Sequence, residues 1–405
     1  MSKLQTLIDK KGLAAKYMMD EITKIIKTLP KRDPGSEGEK VTCEYMADVL
    51  KNDCGCEDVK IESFKENPGS FYGWLYITLT LMLLAVVTFF LKQPWISIIL
   101  IVFGLLIAVL QFGLYFKFVD KLFPEKDGHN VTAIKKCTGE TKRRIFFNGH
   151  VDAAWEWPVN YLLGGVGFES HAIIGFAGAF YYLALSIVRV ATGAPLTKWA
   201  LWGLIFVPFW LGLYFLWNGK RIVDGANDNL SGCYMGIALL KMMQDEGITL
   251  ENTEVGVIIT GSEEAGLRGA YAWADAHKND YNDVPTFIIS YDTIHDPQQL
   301  MVNYRNLNGT VKTDKDVGDL FFEAAEDLKI FCKKGMVPPL GGATDDAAFA
   351  KAGMRATGIT GLNHKLENYY HTRRDTYDNM NEEGLADCYA VSVKALEMFD
   401  AGAKQ

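Results

Sequence analysis

The stretch "RRIFFNGHVDAAWEWP", Arg143–Pro158, decides how the chain is read. An apolar run with β-branched and aromatic residues predicts a buried strand, and it stops at Gly149. His150 and Asp152 then stand two residues apart at the strand tip. About twenty residues later the chain enters an uncharged apolar run of membrane length. A polar pair at a buried strand end points to a site. The run that follows points to a bilayer.

Outward from this stretch, the same pattern repeats. "DVKIESF" alternates as a strand, and "NVTAIKKC", "EVGVIITGSEEAG" and "TFIISYD" read as further strands. Between them, Leu13–Leu29, the segment after "PGSEGE", "NLSGCYMGIALLKMMQDEG" and "RGAYAWADAHK" carry helical spacing. Ser36 and Glu39 form a capping-box pattern for the helix reaching about Leu50. Strands alternating with helices predict an α/β fold, a mostly parallel mixed sheet flanked by helices. Ligands gather at the carboxyl ends of such strands.

Four stretches of the 405 residues contain no charged side chain: Gly73–Leu91, Pro94–Phe116, Ala172–Val188 and Trp199–Trp217. Each is long enough to cross a hydrocarbon core. Trp74, Trp95, Trp199 and Trp217 stand at their ends, where interfacial anchors are expected. Short connections pair the stretches into two α-helical transmembrane hairpins that interrupt the α/β domain. The expected division is 1–72, 117–171 and 218–405 for the catalytic domain, with hairpins at 73–116 and 172–217. All three catalytic pieces then lie on one side of the membrane. Lys117, Lys121, Lys126, Lys220 and Arg221 flank that side, against Lys92, Arg189 and Lys198 on the other. The bias places the catalytic domain in the cytoplasm of a multi-pass protein of the cell membrane. No cleavable signal peptide is legible in the polar N-terminus. A net charge of -8 argues against a nucleic-acid partner. Seven irregularly spaced cysteines, Cys54 and Cys56 among them, argue against a disulfide framework.

The polar residues that follow the apolar strands form one set: His150, Asp152, Asp228, the Glu263–Glu264 pair, Asp292 and, near the end, His371. Histidine nitrogens and carboxylate oxygens suit zinc, and a bridging carboxylate holds two ions about 3.5–4 Å apart. Five other histidines, His129, His171, His277, His295 and His364, have no place in the set and read as surface or structural.

From "PGSEGEKVTCEYMADVL" through His-x-Asp, Asn-Asp-Asn-x-Ser-Gly, Glu-Glu, Tyr-Asp and the late His-Thr, the sequence resembles the co-catalytic zinc exopeptidases. That family includes bacterial leucyl aminopeptidase, carboxypeptidase Q and glutaminyl cyclase. The resemblance implies a zinc aminopeptidase-like fold and two Zn2+ per chain. It implies that His150 and Asp292 bind one ion, Glu264 and His371 the other, and that Asp228 bridges them. Glu263 is then the general base, and Asp152 orients His150. "GGATDDAAF" departs from the family's Ser-Asp-His, with Asp346 in third place. The hairpins are a second departure. Asp375 is expected to organise the loop around His371, and Tyr304, Tyr369 and Tyr370 are candidate oxyanion donors.

The expected function is a membrane-embedded zinc metallopeptidase, an aminopeptidase acting on hydrophobic or amphipathic substrates. Its partners are then a peptide or acyl amino-acid substrate and the lipid bilayer. N-acyl amino-acid hydrolysis and glutaminyl cyclisation are alternative uses of the same metals. An inactive membrane scaffold is the alternative from another class, and it conflicts with a ligand set that has lost no member.

Overall fold

A computed structural model describes residues 4–363 and 367–404; His364 lies outside the described residues. The five strands read from the sequence form, and three more that the sequence did not show join them in one sheet. They are β1 (Asp58–Glu66), β2 (Lys126–Lys135), β3 (Arg143–His150), β4 (Thr253–Thr260), β5 (Thr286–Ile294), β6 (Met301–Asn303), β7 (Lys333–Gly335) and β8 (Arg355–Gly361). They form one sheet in the order β1-β2-β4-β3-β5-β8-β6-β7. β3 runs parallel to β4 and β5, and β5 parallel to β8. β1 pairs antiparallel with β2, β2 with β4, and β6 with β8, while β6 and β7 run parallel. The fold is thus a mostly parallel α/β sheet flanked by helices.

The centre of the sheet is buried on both faces, which is why β3 and β4 read as nearly continuous apolar runs. The helix Ser231–Asp245 lies directly on it. A Cβ on Gly149 would stand 2.4 Å from the Cys233 nitrogen, and one on Gly236 would stand 2.8 Å from Phe147 Cβ. Only glycine permits that approach. The predicted capping box is half formed: Ser36 Oγ accepts from Glu39 N at 3.1 Å, but the Glu39 carboxylate turns inward to Gly35, His129 and Ser262.

Among the described residues, four helices are long and apolar enough to cross a membrane: Gly69–Phe90, Pro94–Gly113, Pro158–Thr192 and Thr197–Leu216. The third begins well before the boundary expected at residue 172. Pro158 opens it, Gly164 breaks it at φ 69°, and it continues past Glu169, the charge that had truncated the apolar run. The second ends in a π-helical turn, Ala108–Gly113.

The four helices pack as one bundle around Trp74, Leu79, Met82, Phe89, Tyr182 and Trp210. Gly175 and Gly178 let the second pair meet closely. The Trp210 indole N–H donates to the Gly175 carbonyl at 2.8 Å, and a Cβ on Gly178 would stand 2.6 Å from Phe206 Cβ. The outer surface of the bundle is apolar, with Ile99, Val102, Phe103, Ile173, Phe180 and Ile205 exposed. Of the four tryptophans read as anchors, Trp95 and Trp199 are exposed as expected. Trp74 and Trp217 are buried instead, and both line a cavity inside the bundle. A sequence position at the end of an apolar run does not show which face of the helix the residue occupies.

Candidate metal centre

The strand ends deliver the predicted residues to one place. His150 ends β3 opposite Thr260 of β4, and the Glu263–Glu264 loop follows three residues on. Asp292 on β5 pairs with Thr360 of β8. Asp228 arrives from the loop entering the helix Ser231–Asp245, just after the second hairpin, and its peptide bond to Asn229 is cis.

Donor atoms of His150, Asp228 and Asp292 converge within 4.8 Å of one another, and so do those of Asp228, Glu264 and His371. Asp228 is common to both groups. His150 Nε2 stands 3.3 Å from one Asp228 oxygen, and His371 Nε2 stands 3.0 Å from the other and 3.1 Å from Glu264 Oε1. Two ligands held about 2 Å from one tetrahedral zinc are about 3.3 Å apart. Asp228 Oδ2 and Glu264 Oε1 are buried with no hydrogen-bond partner among the described residues. Orphaned carboxylate oxygens facing an imidazole, in a nitrogen and oxygen donor set, fit zinc.

The electrostatics of the bare cluster point the same way. Burial raises the Glu263 carboxyl well above its usual range, with Glu264 and Asp292 adding to the effect. Burial and the Asp228 charge push Asp292 up to about 7. Burial works against charge on His371, but Glu264 and Asp228 outweigh it and raise the imidazole to about 10. Asp228 is held well below the usual carboxylate range; burial opposes this, and His150 and His371 prevail. Crowded buried carboxylates with charged histidines among them are the pattern that a divalent ion resolves.

Asp152 does more than was read from the sequence. Its carboxylate lies 3.4 Å from His150 Nδ1 and also accepts from the Glu263 and Glu264 amides, each at 3.0 Å. One side chain therefore fixes both the first histidine and the glutamate loop. Asp375 likewise reaches beyond the His371 loop: it accepts from the Asn227 amide at 2.9 Å and the Asp228 amide at 3.0 Å. Arg32, fully buried, donates to the carbonyls of Val151, Asp224 and Gly225 and ties the strand tip to the Asp228 loop. Ser262 donates to Glu39 and Glu66, which fixes the loop from its other side.

The hairpins also reach the centre. The Tyr72 hydroxyl, on the first apolar helix, is 3.5 Å from Glu264 Oε2. Trp157, just before the third helix, packs its ring edge on His371 with centroids 4.2 Å apart. Tyr370 stacks on the same imidazole at 4.2 Å and lines the cavity. Of the other tyrosines singled out, Tyr304 donates to Asp319, and Tyr369 is buried against His295. Asp346 accepts from Asn306 and Thr344 within the β8 neighbourhood. Among the remaining histidines, His277 pairs with Glu62 and Asp280, and His171 packs on Phe209 inside the second hairpin.

Residues 214–396 match the model of Peptidase family M28. No curated protein matches the sequence. Among solved structures, the fold is similar to a zinc aminopeptidase from Bacillus subtilis, with TM-score 0.56 and 12% identity over 95% of each chain. It is similar to an aminopeptidase from Aneurinibacillus sp. strain AM-1, with TM-score 0.56 and 15% identity over 95% of this chain and 93% of that one. It is also similar to a Bacteroides thetaiotaomicron glutaminyl cyclase, with TM-score 0.54 and 13% identity over 96% of each chain. The fold and the family match define the class: a zinc-dependent, peptidase-type hydrolase. Within that class the match is to family M28, and the matched segment carries Asp228, Glu263, Glu264, Asp292 and His371. His150 and Asp152 precede it.

Proposed function

We propose that the protein is a membrane-embedded exopeptidase, an aminopeptidase in its core chemistry, with two zinc ions per chain. The observation that carries this reading is the shared Asp228 between two converging donor groups. His150 and Asp292 would hold one ion, Glu264 and His371 the other. Bound zinc supplies the polarisation of the amide carbonyl and the acidification of the attacking water. Glu263, buried and with 8% of its surface exposed toward the cavity, takes the proton of that water and passes it to the leaving amine. The C–O bond forms, the C–N bond breaks, and the amine leaves neutral. Asp152 keeps the base and its neighbour facing different ways by holding both their amides. The Tyr72 hydroxyl, beside Glu264, is placed to donate to charge developing on the carbonyl oxygen.

Membrane embedding is supported by four membrane-length helices and by the exposed apolar surface of their bundle, which water would not favour. The far turns hold Lys92 and Lys198, with the catalytic domain on the opposite, cytoplasmic side. Glutaminyl cyclisation is the second reading, favoured by the similarity to cyclase folds. The deciding experiment is product analysis with detergent-purified, zinc-loaded protein. Free amino acid released from an aminoacyl amide supports the aminopeptidase. A pyroglutamyl product from an N-terminal glutamine supports the cyclase. Absence of both, at full zinc occupancy, removes this reading.

A further inference from the structure

One cavity of about 430 Å³ joins the metal centre to the interior of the apolar bundle. At one end stand Asp228, Glu263, Glu264, Asp292 and His371. At the other stand Leu79, Met82, Phe176 and Trp210, contributed by helices of both hairpins. Tyr72, at the centre, and Met82, deep in the bundle, lie on one helix, so the cavity runs about 15 Å along it. That depth exceeds the reach of a natural amino-acid side chain. Thr78, Asn160 and Glu169 interrupt an otherwise mostly apolar lining, so a peptide strand drawn into it would leave most of its backbone N–H and C=O groups facing apolar walls, at a cost of several kcal/mol per group by the order-of-magnitude rule for hydrocarbon. A hydrocarbon chain has no such groups.

The polar end is also specific. Asn303 lines the cavity and is fully buried; its Nδ2 donates to Thr360, and its Oδ1 has no hydrogen-bond partner among the described residues. It is an acceptor waiting for an N–H. Among the described residues, no lysine or arginine lines the cavity.

We infer that the substrate is a lipid amide with a single hydrocarbon chain: the chain lies between the apolar helices, the amide lies at the metal centre, and an N–H of the polar part meets Asn303. The inference rests on the hydrolase reading and names its substrate class. The chain has two possible sources, a fatty acyl group on the scissile nitrogen or a long side chain on a residue with a free α-amine.

The test uses zinc-loaded protein in lipid nanodiscs. N-acetyl-, N-octanoyl-, N-dodecanoyl- and N-palmitoyl-glycinamide form one arm. The glycinamides of alanine, 2-aminodecanoic acid and 2-aminohexadecanoic acid form the other. In the arm that matches the source, kcat/KM rises at least tenfold with chain length and then levels or falls. Leu79→Trp shifts the preferred length shorter and Met82→Ala shifts it longer, read as the long-to-short ratio within each variant. Zinc content verifies that both variants are folded. A flat profile in both arms, or a preferred length that neither variant moves, overturns the lipid-chain inference and leaves the hydrolase standing. No turnover in either arm at full zinc occupancy removes the hydrolase reading as well.

Discussion

Arg268 donates to Asp120 at 3.0 Å, and both side chains are buried. Arg268 opens the helix that follows the glutamate loop; Asp120 follows the first hairpin. Asp120 Oδ1 also accepts from Ser70 and Gln111, at the start of the first apolar helix and in the π-helical turn of the second. The pair is the joint between the bundle and the catalytic loop. Removing one partner from a buried ion pair leaves the other charge unpaired, typically costing about 3–5 kcal/mol. Asp120→Ala is expected to lose about that much stability in detergent unfolding. Asp120→Leu combined with Arg268→Met is expected to recover most of it. A single variant as stable as the parent would show that the joint carries no load.

Glu263→Gln is expected to retain zinc and to lose about 10²–10⁴-fold in kcat, because glutamine keeps the shape but cannot take a proton. Steady-state kinetics alongside elemental analysis check it. Near-parental turnover would move the base to another residue.

Metal stoichiometry separates the ligands. The parent is expected to hold two zinc ions, and His371→Ala one, since it strips a single group. Asp228→Ala is expected to hold neither firmly, since its carboxylate is common to both groups. Equal zinc content in the two variants would contradict a bridging Asp228.

Glu66 gives a pH signature. Burial, reinforced by the Glu39 charge, pushes its carboxyl up to about 8, and its Oε2 has no hydrogen-bond partner among the described residues. The folded state therefore holds a proton that the unfolded state releases at ordinary carboxylate pH. Stability falls as pH rises between those two values, by at most about 1.4 kcal/mol per pH unit for this one proton. Glu66→Gln is expected to flatten that slope and to be more stable than the parent near pH 8. Unfolding measured from pH 5 to 8.5 reads it, and an unchanged slope would remove Glu66 from the account.

Topology is tested by cysteine labelling of intact cells in a variant lacking reactive native thiols. Tags near Gln93 and Pro195, in the two far turns, are expected to react from outside, and one at Lys404 is not. The reverse pattern would put catalysis outside the cytoplasm.

Of the candidate ligands, His150, Glu264 and Asp292 were legible because they lie at or just beyond apolar strands, whose ends converge in a parallel sheet, whereas Asp228 and His371 reach the centre from loops. Tyr72, Trp157 and Asn303 were not legible. Their roles depend on how the bundle leans on the sheet, which no local periodicity encodes. The same reason hid the inward faces of Trp74 and Trp217. Glu169 ends a charge-free run without ending a helix, so composition alone places the start of the third apolar helix near residue 172, whereas the helix opens at Pro158. Asp152 as a partner of His150 was what the family resemblance implied. Its hold on the glutamate amides is a long-range contact and left no trace in the sequence.

β4 lies between β2 and β3 in the sheet, yet it comes later in the chain than both hairpins. Asp228 and the glutamate loop are later still than the fourth apolar helix. A ribosome therefore finishes every apolar helix before it makes the strand that completes the centre of the sheet, or the carboxylate shared by the two donor groups. During synthesis the two donor groups therefore cannot be complete until all four apolar helices have been made.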